Sequence, residues 1–321
     1  MDNRLIGVYA VKHKNEYIRA HSRSGGVFTA LSDYILDNGG VVYGCVLDET
    51  FTAHHIRTQE KENRDKMRGS KYIQSRLEDS FIHVREDLAA GLTVLFTGTS
   101  CQIAGLQRFL GHKYSKLLCV DIVCHGVPSS NVWLKYLEWQ EKNSGSKIVS
   151  VDFRNKRDFG WKAHVETVYF QNGLTIDSEV FKNLFYGHYI LRPSCYECPY
   201  KSIYHPSDIT IADYWGIDKA APGFNDDKGV SLVLINTETG NEVFQAIKEK
   251  IICVPTHIED SLQPPLQSPF PCPRNRDDFW KDFYHKEFGF IARKYAGYGK
   301  LNKIKRLCRK IMAKVGRMIK R

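Results

Sequence analysis

Cys195 and Cys198 sit in the run RPSCYECPY, two residues between them and Pro199 directly behind. Two thiolates do not complete a metal or cluster site. Four do, either as the ligands of a 4Fe–4S cluster or as the shell of a zinc ion held by cysteine alone. Two further cysteines stand where ligands gather in an open α/β sheet, at the carboxyl ends of strands. Cys101 follows the apolar run TVLFTGT at the start of a helical stretch, and Cys124 closes the apolar run KLLCVDIVC. If those runs are parallel neighbours, both thiols project from one rim. The spacing does not choose between iron–sulfur and zinc.

The other cysteines read differently. Cys45 and Cys119 lie inside apolar runs and are expected to pack as small core residues. Cys253 ends a predicted strand and Cys272 lies in a Pro-rich stretch, either one a spare ligand as the alternative, and Cys308 lies in a basic tail. Phosphate chemistry is suggested twice. HSRSGGVFTA joins Ser24, Gly25 and Gly26 to a helix start, where main-chain N–H groups and the helix dipole favour an anion and glycine allows close approach. A plain helix-capping turn is the alternative. FTGTS places Thr97, Gly98 and Thr99 at a strand end. His125, beside Cys124, is either a proton donor or a polar turn residue. Asp208 and Asp213 flank the apolar run of SDITIADYWG.

The elements that must position these residues alternate. SGGVFTALSDYILDNGG is predicted helical, with Ser24 as its cap and Val27, Leu31, Tyr34 and Ile35 on one face. VVYGCVLD reads as a buried strand. SRLEDSFIHVREDLAAG reads as a helix aligning Leu77, Phe81, Val84 and Leu88, followed by the strand TVLFTGT, the helix CQIAGLQRFL, the strand KLLCVDIVC and a serine-capped helix in SSNVWLKYLEWQEKNSG. This alternation is the α/β pattern. Beyond about residue 147 the runs IVSVDFR, HVETVYFQNGLTIDSE, SDITIADYW and VSLVLINT are strand-rich, and TGNEVFQAIKEK closes them as a helix. The expected fold is α/β, a mixed sheet with a parallel N-terminal portion flanked by helices, a strand-rich second half and a C-terminal basic amphipathic helix. The expected organisation is a domain over 1–253, a Pro-rich linker over 254–275 and a basic helical tail over 276–321.

The chain has 321 residues, 42% hydrophobic and 26% charged, enough for a sizeable core without disulfide staples. Its N-terminal run lacks the apolar core of a signal peptide, and no stretch is apolar enough to span a bilayer. A cytoplasmic protein with reduced thiols is expected. The formal charge of +10 is local. Residues 300–321 hold ten Lys or Arg and no acid, leaving 36 basic against 36 acidic side chains elsewhere. In this tail Leu301, Ile304, Leu307, Cys308, Ile311, Met312, Val315, Met318 and Ile319 recur at helical spacing, which suits peripheral contact with an anionic membrane face or an acidic partner, a helix docked on the body being the alternative. The tail has no aromatics to stack on bases, so no nucleic acid is expected.

Eight segments occur in order: HSRSGGVFTALSDYILDNGGVVYGCVLDE, MRGSKYIQS, VLFTGTSCQIAGLQRFL, VDIVCHGVPSS, FRNKRDFGWK, LRPSCYECPYKS, SDITIADYWGI and KGVSLVLINTETG. Together they resemble the coenzyme F420 hydrogenase/dehydrogenase beta-subunit family, in particular the bacterial branch associated with polysaccharide biosynthesis. The resemblance runs from about residue 5 to about residue 250. It implies an iron–sulfur flavoprotein oxidoreductase, with FAD (or FMN) and one 4Fe–4S cluster held by Cys101, Cys124, Cys195 and Cys198. It implies flavin contacts from Ser24, Gly25, Gly26, Thr29, Thr97, Gly98 and Thr99. Lys71 would neutralise phosphate or reduced-flavin charge, a solvated loop lysine being the alternative; with His125, read above from its place beside Cys124, it is an expected catalytic residue. The implied partners are ferredoxin or another electron carrier, with F420 or a nicotinamide as alternative donors. Two departures stand out: Ser100 replaces the family's usual proline before Cys101, and Arg23 interrupts the usual serine run before Gly25. The rival reading is a non-catalytic zinc-stabilised binding module or membrane-anchored accessory subunit.

Overall fold

A computed structural model describes residues 5–299. The basic amphipathic helix expected over 300–321, and Cys308 within it, lie outside the described residues. The chain divides into two compact units, each assembled from separated segments. Among the described residues, the first comprises 5–71, 75–125 and 198–269, and the second 72–74, 126–197 and 270–299.

The first unit is built on an eight-stranded mixed sheet. Its strands are β1 (Gly7–His13), β2 (Val41–Leu47), β3 (Ala53–Thr58), β4 (Val94–Thr99), β5 (Leu117–Ile122), and, beyond the second unit's β6–β8, β9 (Ile209–Asp213), β10 (Ser231–Ile235) and β11 (Ile251–Pro255). Their order across the sheet is β11-β1-β10-β9-β5-β4-β2-β3. The middle is parallel, β2 to β4, β4 to β5 and β5 to β9. Both flanks are antiparallel. Buried on both faces, β2, β4 and β5 read as near-continuous apolar runs, as parallel strands under helices must, and antiparallel β10 is buried along its whole length. The helix Val27–Asp37 buries Val27, Leu31 and Ile35 against one face, with Leu95, Leu118, Val120 and Val233. The helices Ser80–Ala89 and Ser100–Leu110 bury Val84, Leu88, Ile103 and Leu106 with Val41, Phe96 and Cys119.

The second unit holds the antiparallel sheet β6 (Ile148–Asp152), β7 (Glu166–Phe170) and β8 (Thr175–Ser178). It also contains the helices Ser130–Ser144, Val180–Tyr186, Arg276–His285 and Phe288–Ala296. Trp133, Tyr136, Phe181 and Phe185 fill its core.

Several expectations change. Leu77 precedes its helix, which begins at Ser80. Ser24 does not cap the helix Val27–Asp37. Gly26 is the N-cap, with φ 92° and no capping side chain, while the Ser24 hydroxyl donates to the Val230 carbonyl at 2.6 Å. The expected boundaries at 253 and 275 do not coincide with the two units. Cys253 pairs with Val11 inside the sheet, so the chain enters the Pro-rich segment from within the first unit. The first stretch of the expected tail forms packed helices, because Phe279, Phe283, Phe288 and Ile291 are buried.

Candidate functional site

The rim formed by the carboxyl ends of β4 and β5 carries two of the four predicted thiols. Thr99 is in register with Ile122 across the parallel pair. Cys101 lies two residues beyond Thr99, in the first turn of Ser100–Leu110, and Cys124 two residues beyond Ile122. Cys101 is exposed and Cys124 half-buried. Cys198 belongs to the same unit, whereas Cys195 falls in the second.

Two of these sulfurs have hydrogen-bonding neighbours. The Thr99 hydroxyl, which donates to Gln102 Oε1, is 3.1 Å from Cys101 Sγ. In the second unit the Val127 main-chain N–H donates to Cys195 Sγ at 3.3 Å. Cys119, by contrast, is buried in the core, and burial drives its thiol far upward. Burial likewise raises Cys45, whose thiol donates to the Val46 carbonyl. Cys272 is exposed, and Cys253 packs beside the core.

Among the described residues no three His, Cys, Asp or Glu side chains are gathered closely enough to hold one metal ion. Four thiolates on a single zinc would stand roughly 3.8 Å from one another, given Zn–S bonds of about 2.3 Å. A cubane cluster spreads its cysteines over four irons. Cysteine thiolates with hydrogen bonds to sulfur suit an iron–sulfur cluster and a zinc ion alike.

The Ser-Gly-Gly segment is fastened to the start of β10. The Gly25 N–H donates to Ser231 Oγ at 2.9 Å, and the His13 N–H to the Gly25 carbonyl at 2.7 Å. A Cβ on Gly25 would stand 2.1 Å from the Val11 carbonyl oxygen, so main-chain packing alone demands glycine there. Thr29 is buried, and Arg68 Nε donates to its hydroxyl at 3.0 Å. Lys71 Nζ donates to the carbonyls of Lys66 and Arg68. Loss of hydration lowers this ammonium to about 8, within reach of neutral pH. The Thr97 hydroxyl donates to the Tyr43 carbonyl, and Gln102 Oε1 accepts from the Thr99 N–H and hydroxyl. A Cβ on Gly98 would meet that Gln102 oxygen at 2.9 Å. The His125 carbonyl accepts from the buried Lys201 ammonium at 2.7 Å.

Asp208 is a tether. Its carboxylate accepts from the Cys119 N–H and the Thr237 hydroxyl, both at 2.7 Å, and burial raises its pKa. Sequence reasoning missed a second buried carboxylate, Asp121, which accepts from His205 Nδ1 at 2.8 Å and from the Ser207 hydroxyl at 2.7 Å. Ser100, the neighbour of Cys101, lies 3.2 Å from the same His205 nitrogen. The signal was an acid inside the apolar run KLLCVDIVC, a place where an unpaired charge is too costly to bury.

Residues 8–80 match the N-terminal model of the coenzyme F420 hydrogenase/dehydrogenase beta-subunit family, and residues 91–260 match its C-terminal model. Among solved structures, the F420-reducing [NiFe] hydrogenase complex from Methanosarcina barkeri contains a similar chain. It is 20% identical with a TM-score of 0.55, covering 79% of this chain and 83% of that one, a likeness of fold. Comparison with curated proteins finds no match.

Proposed function

Because this chain belongs to the coenzyme F420 hydrogenase/dehydrogenase beta-subunit family, we propose that it is an iron–sulfur flavoprotein that passes electrons between a two-electron donor and a one-electron carrier. The observation that carries this reading is the position of Cys101 and Cys124 at the carboxyl ends of two hydrogen-bonded parallel strands. Cys198 in the same unit and Cys195, three residues earlier in the chain, would complete the ligand set. When bound, a flavin exchanges electron pairs as hydride and a cluster exchanges single electrons, which is the division of labour such a carrier needs.

The chain's own residues supply the rest. Thr99 Oγ1 and the Val127 N–H stand within hydrogen-bond reach of the sulfurs of Cys101 and Cys195. Lys71, held by two carbonyls, presents a positive charge and a proton at Nζ that is readily given up near neutral pH. The Ser24–Gly26 turn and Thr29, with Arg68 behind them, offer the uncapped helix start for the phosphate of FAD or FMN. Thr97, Gly98 and Thr99 at the end of β4 are the further proposed flavin contacts, and His125 is the second proposed proton carrier.

F420 is the first donor to test, since the Methanosarcina barkeri assembly reduces it. Nicotinamide and ferredoxin are the alternatives. The motifs shared with the polysaccharide-associated branch favour a carrier-linked or sugar substrate in surface-polysaccharide synthesis. Anaerobically purified protein should be brown, contain iron and acid-labile sulfide, and release a yellow flavin on denaturation. Reduced F420, NADH and reduced ferredoxin are then compared by the bleaching of the flavin band. Colourless protein carrying stoichiometric zinc would replace this reading with the zinc-stabilised binding module.

A further inference from the structure

We infer that His13 binds phosphate: its Nε2–H and the uncapped first turn of the helix Val27–Asp37 together hold a phosphoryl group. His13 ends β1 and is 6% exposed. Its Nδ1 lies 3.0 Å from the main-chain nitrogen of Asn15. An amide nitrogen only donates, so Nδ1 carries the lone pair and the ring hydrogen sits on Nε2. That Nε2 is buried and has no hydrogen-bond partner. A buried N–H in a native fold is almost always paired, so the missing acceptor belongs to a ligand or a water.

The main chain and the Cβ of His13 lie against the helix start. The His13 N–H donates to the Gly25 carbonyl, and a Cβ on Gly26, the N-cap, would stand 3.0 Å from the His13 Cβ. Gly26 has no side chain with which to cap the helix. Consecutive N–H groups of an uncapped first turn, at the positive end of an eleven-residue helix, ask for an anion. The surrounding charge agrees. Arg68, Arg64 and Lys250 act on His13, against Asp33, and Asp33 is itself paired with Arg64 at 2.7 Å. Burial, the largest influence, holds the imidazole below its ordinary pKa, so the neutral Nε2–H form is the one on offer. A phosphoryl group, with three terminal oxygens, can accept from the imidazole and the helix N–H groups at once.

The ligand's identity rests on the flavin reading above, but the binding group does not. The full-length protein, freed of flavin, is titrated with riboflavin, FMN, FAD and inorganic pyrophosphate. FMN is expected to bind at least about tenfold more tightly than riboflavin. His13→Phe should remove most of that preference without changing riboflavin affinity, and His13→Gln, which keeps an N–H at the Nε2 position, should restore it. Should the Phe variant fail to fold, the wild type decides. Its His13 Nε2–H resonance, in a long-range proton–nitrogen spectrum, should shift and become protected when pyrophosphate is added. Full phosphate preference in His13→Phe, or an Nε2–H unmoved at saturating pyrophosphate, overturns the inference and shows the missing acceptor to be water. Pyrophosphate binding that depends on His13, without any flavin binding, would leave this inference standing and remove the flavin.

Discussion

The main-chain N–H of Gly25 donates to Ser231 Oγ at 2.9 Å, joining two motifs 206 residues apart. The Ser24 hydroxyl reaches the Val230 carbonyl beside it, and a Cβ on Gly229 would press against the Ser24 main chain at 2.7 Å. The turn that opens the helix Val27–Asp37 is therefore shaped by the first residues of β10.

Breaking that joint should destabilise the fold before it touches chemistry. Gly25→Ala places a methyl 2.1 Å from the Val11 carbonyl oxygen and is expected to cost at least about 3 kcal/mol. Ser231→Ala leaves the buried Gly25 N–H unpaired, worth about 1–3 kcal/mol. Urea denaturation of both variants measures this, and a Gly25→Ala protein as stable as wild type would contradict the packing described.

The cysteines should separate cleanly by metal content. Cys101→Ser and Cys124→Ser are expected to lose most of the iron and labile sulfide. Cys272→Ser and Cys45→Ser are expected to keep them, since the thiols of Cys272 and Cys45 donate to the neighbouring Pro273 and Val46 carbonyls. Iron and sulfide assays on protein purified without oxygen read the difference directly.

Lys71 gives a pH signature. Its ammonium is lowered to about 8, so the charged form dominates below that pH and is lost as pH rises through it. Turnover that depends on the Lys71 proton should therefore fall across about pH 8. Lys71→Met should lower the rate roughly 100-fold and flatten that limb. A rate profile in Lys71→Met that keeps the same alkaline limb assigns it to another group.

Glu166 in β7 supplies a stability test in the second unit. Burial raises its carboxyl to about 8 from an ordinary 4.5. Its Oε1 accepts the Lys182 N–H, while Oε2 is buried without a partner. The folded state thus holds a proton that the unfolded chain releases between these values. Stability from this group is full below about pH 4.5 and declines as pH rises towards 8, by about 1.4 kcal/mol per unit. Glu166→Gln should remove that slope, measured as the wild-type minus variant difference in urea midpoint across the range.

Much of the fold could be read locally. The apolar runs of β2, β4, β5, β9 and β10 and the periodic faces of Val27–Asp37 and Ser100–Leu110 announce themselves within a dozen residues. β1 and β3 do not. GVYAVKH mixes polar and apolar positions, and AHHIRT carries two histidines and an arginine, so neither shows a clean period. Each is a strand because a neighbour supplies its hydrogen bonds, β10 and β11 for β1 and β2 for β3.

The order and spacing of the cysteines, the α/β alternation and the family motifs belong to the linear chain, because they are properties of short segments. Other features needed the folded molecule. These are the parallel register that puts Cys101 and Cys124 on one rim, the burial that leaves Asp121 to His205 and Asp208 to Thr237, and the close approach that makes Gly25 obligatory. They depend on partners tens to hundreds of residues away, and hydrogen bonding and exclusion of water act on distance in space, which residue order does not encode.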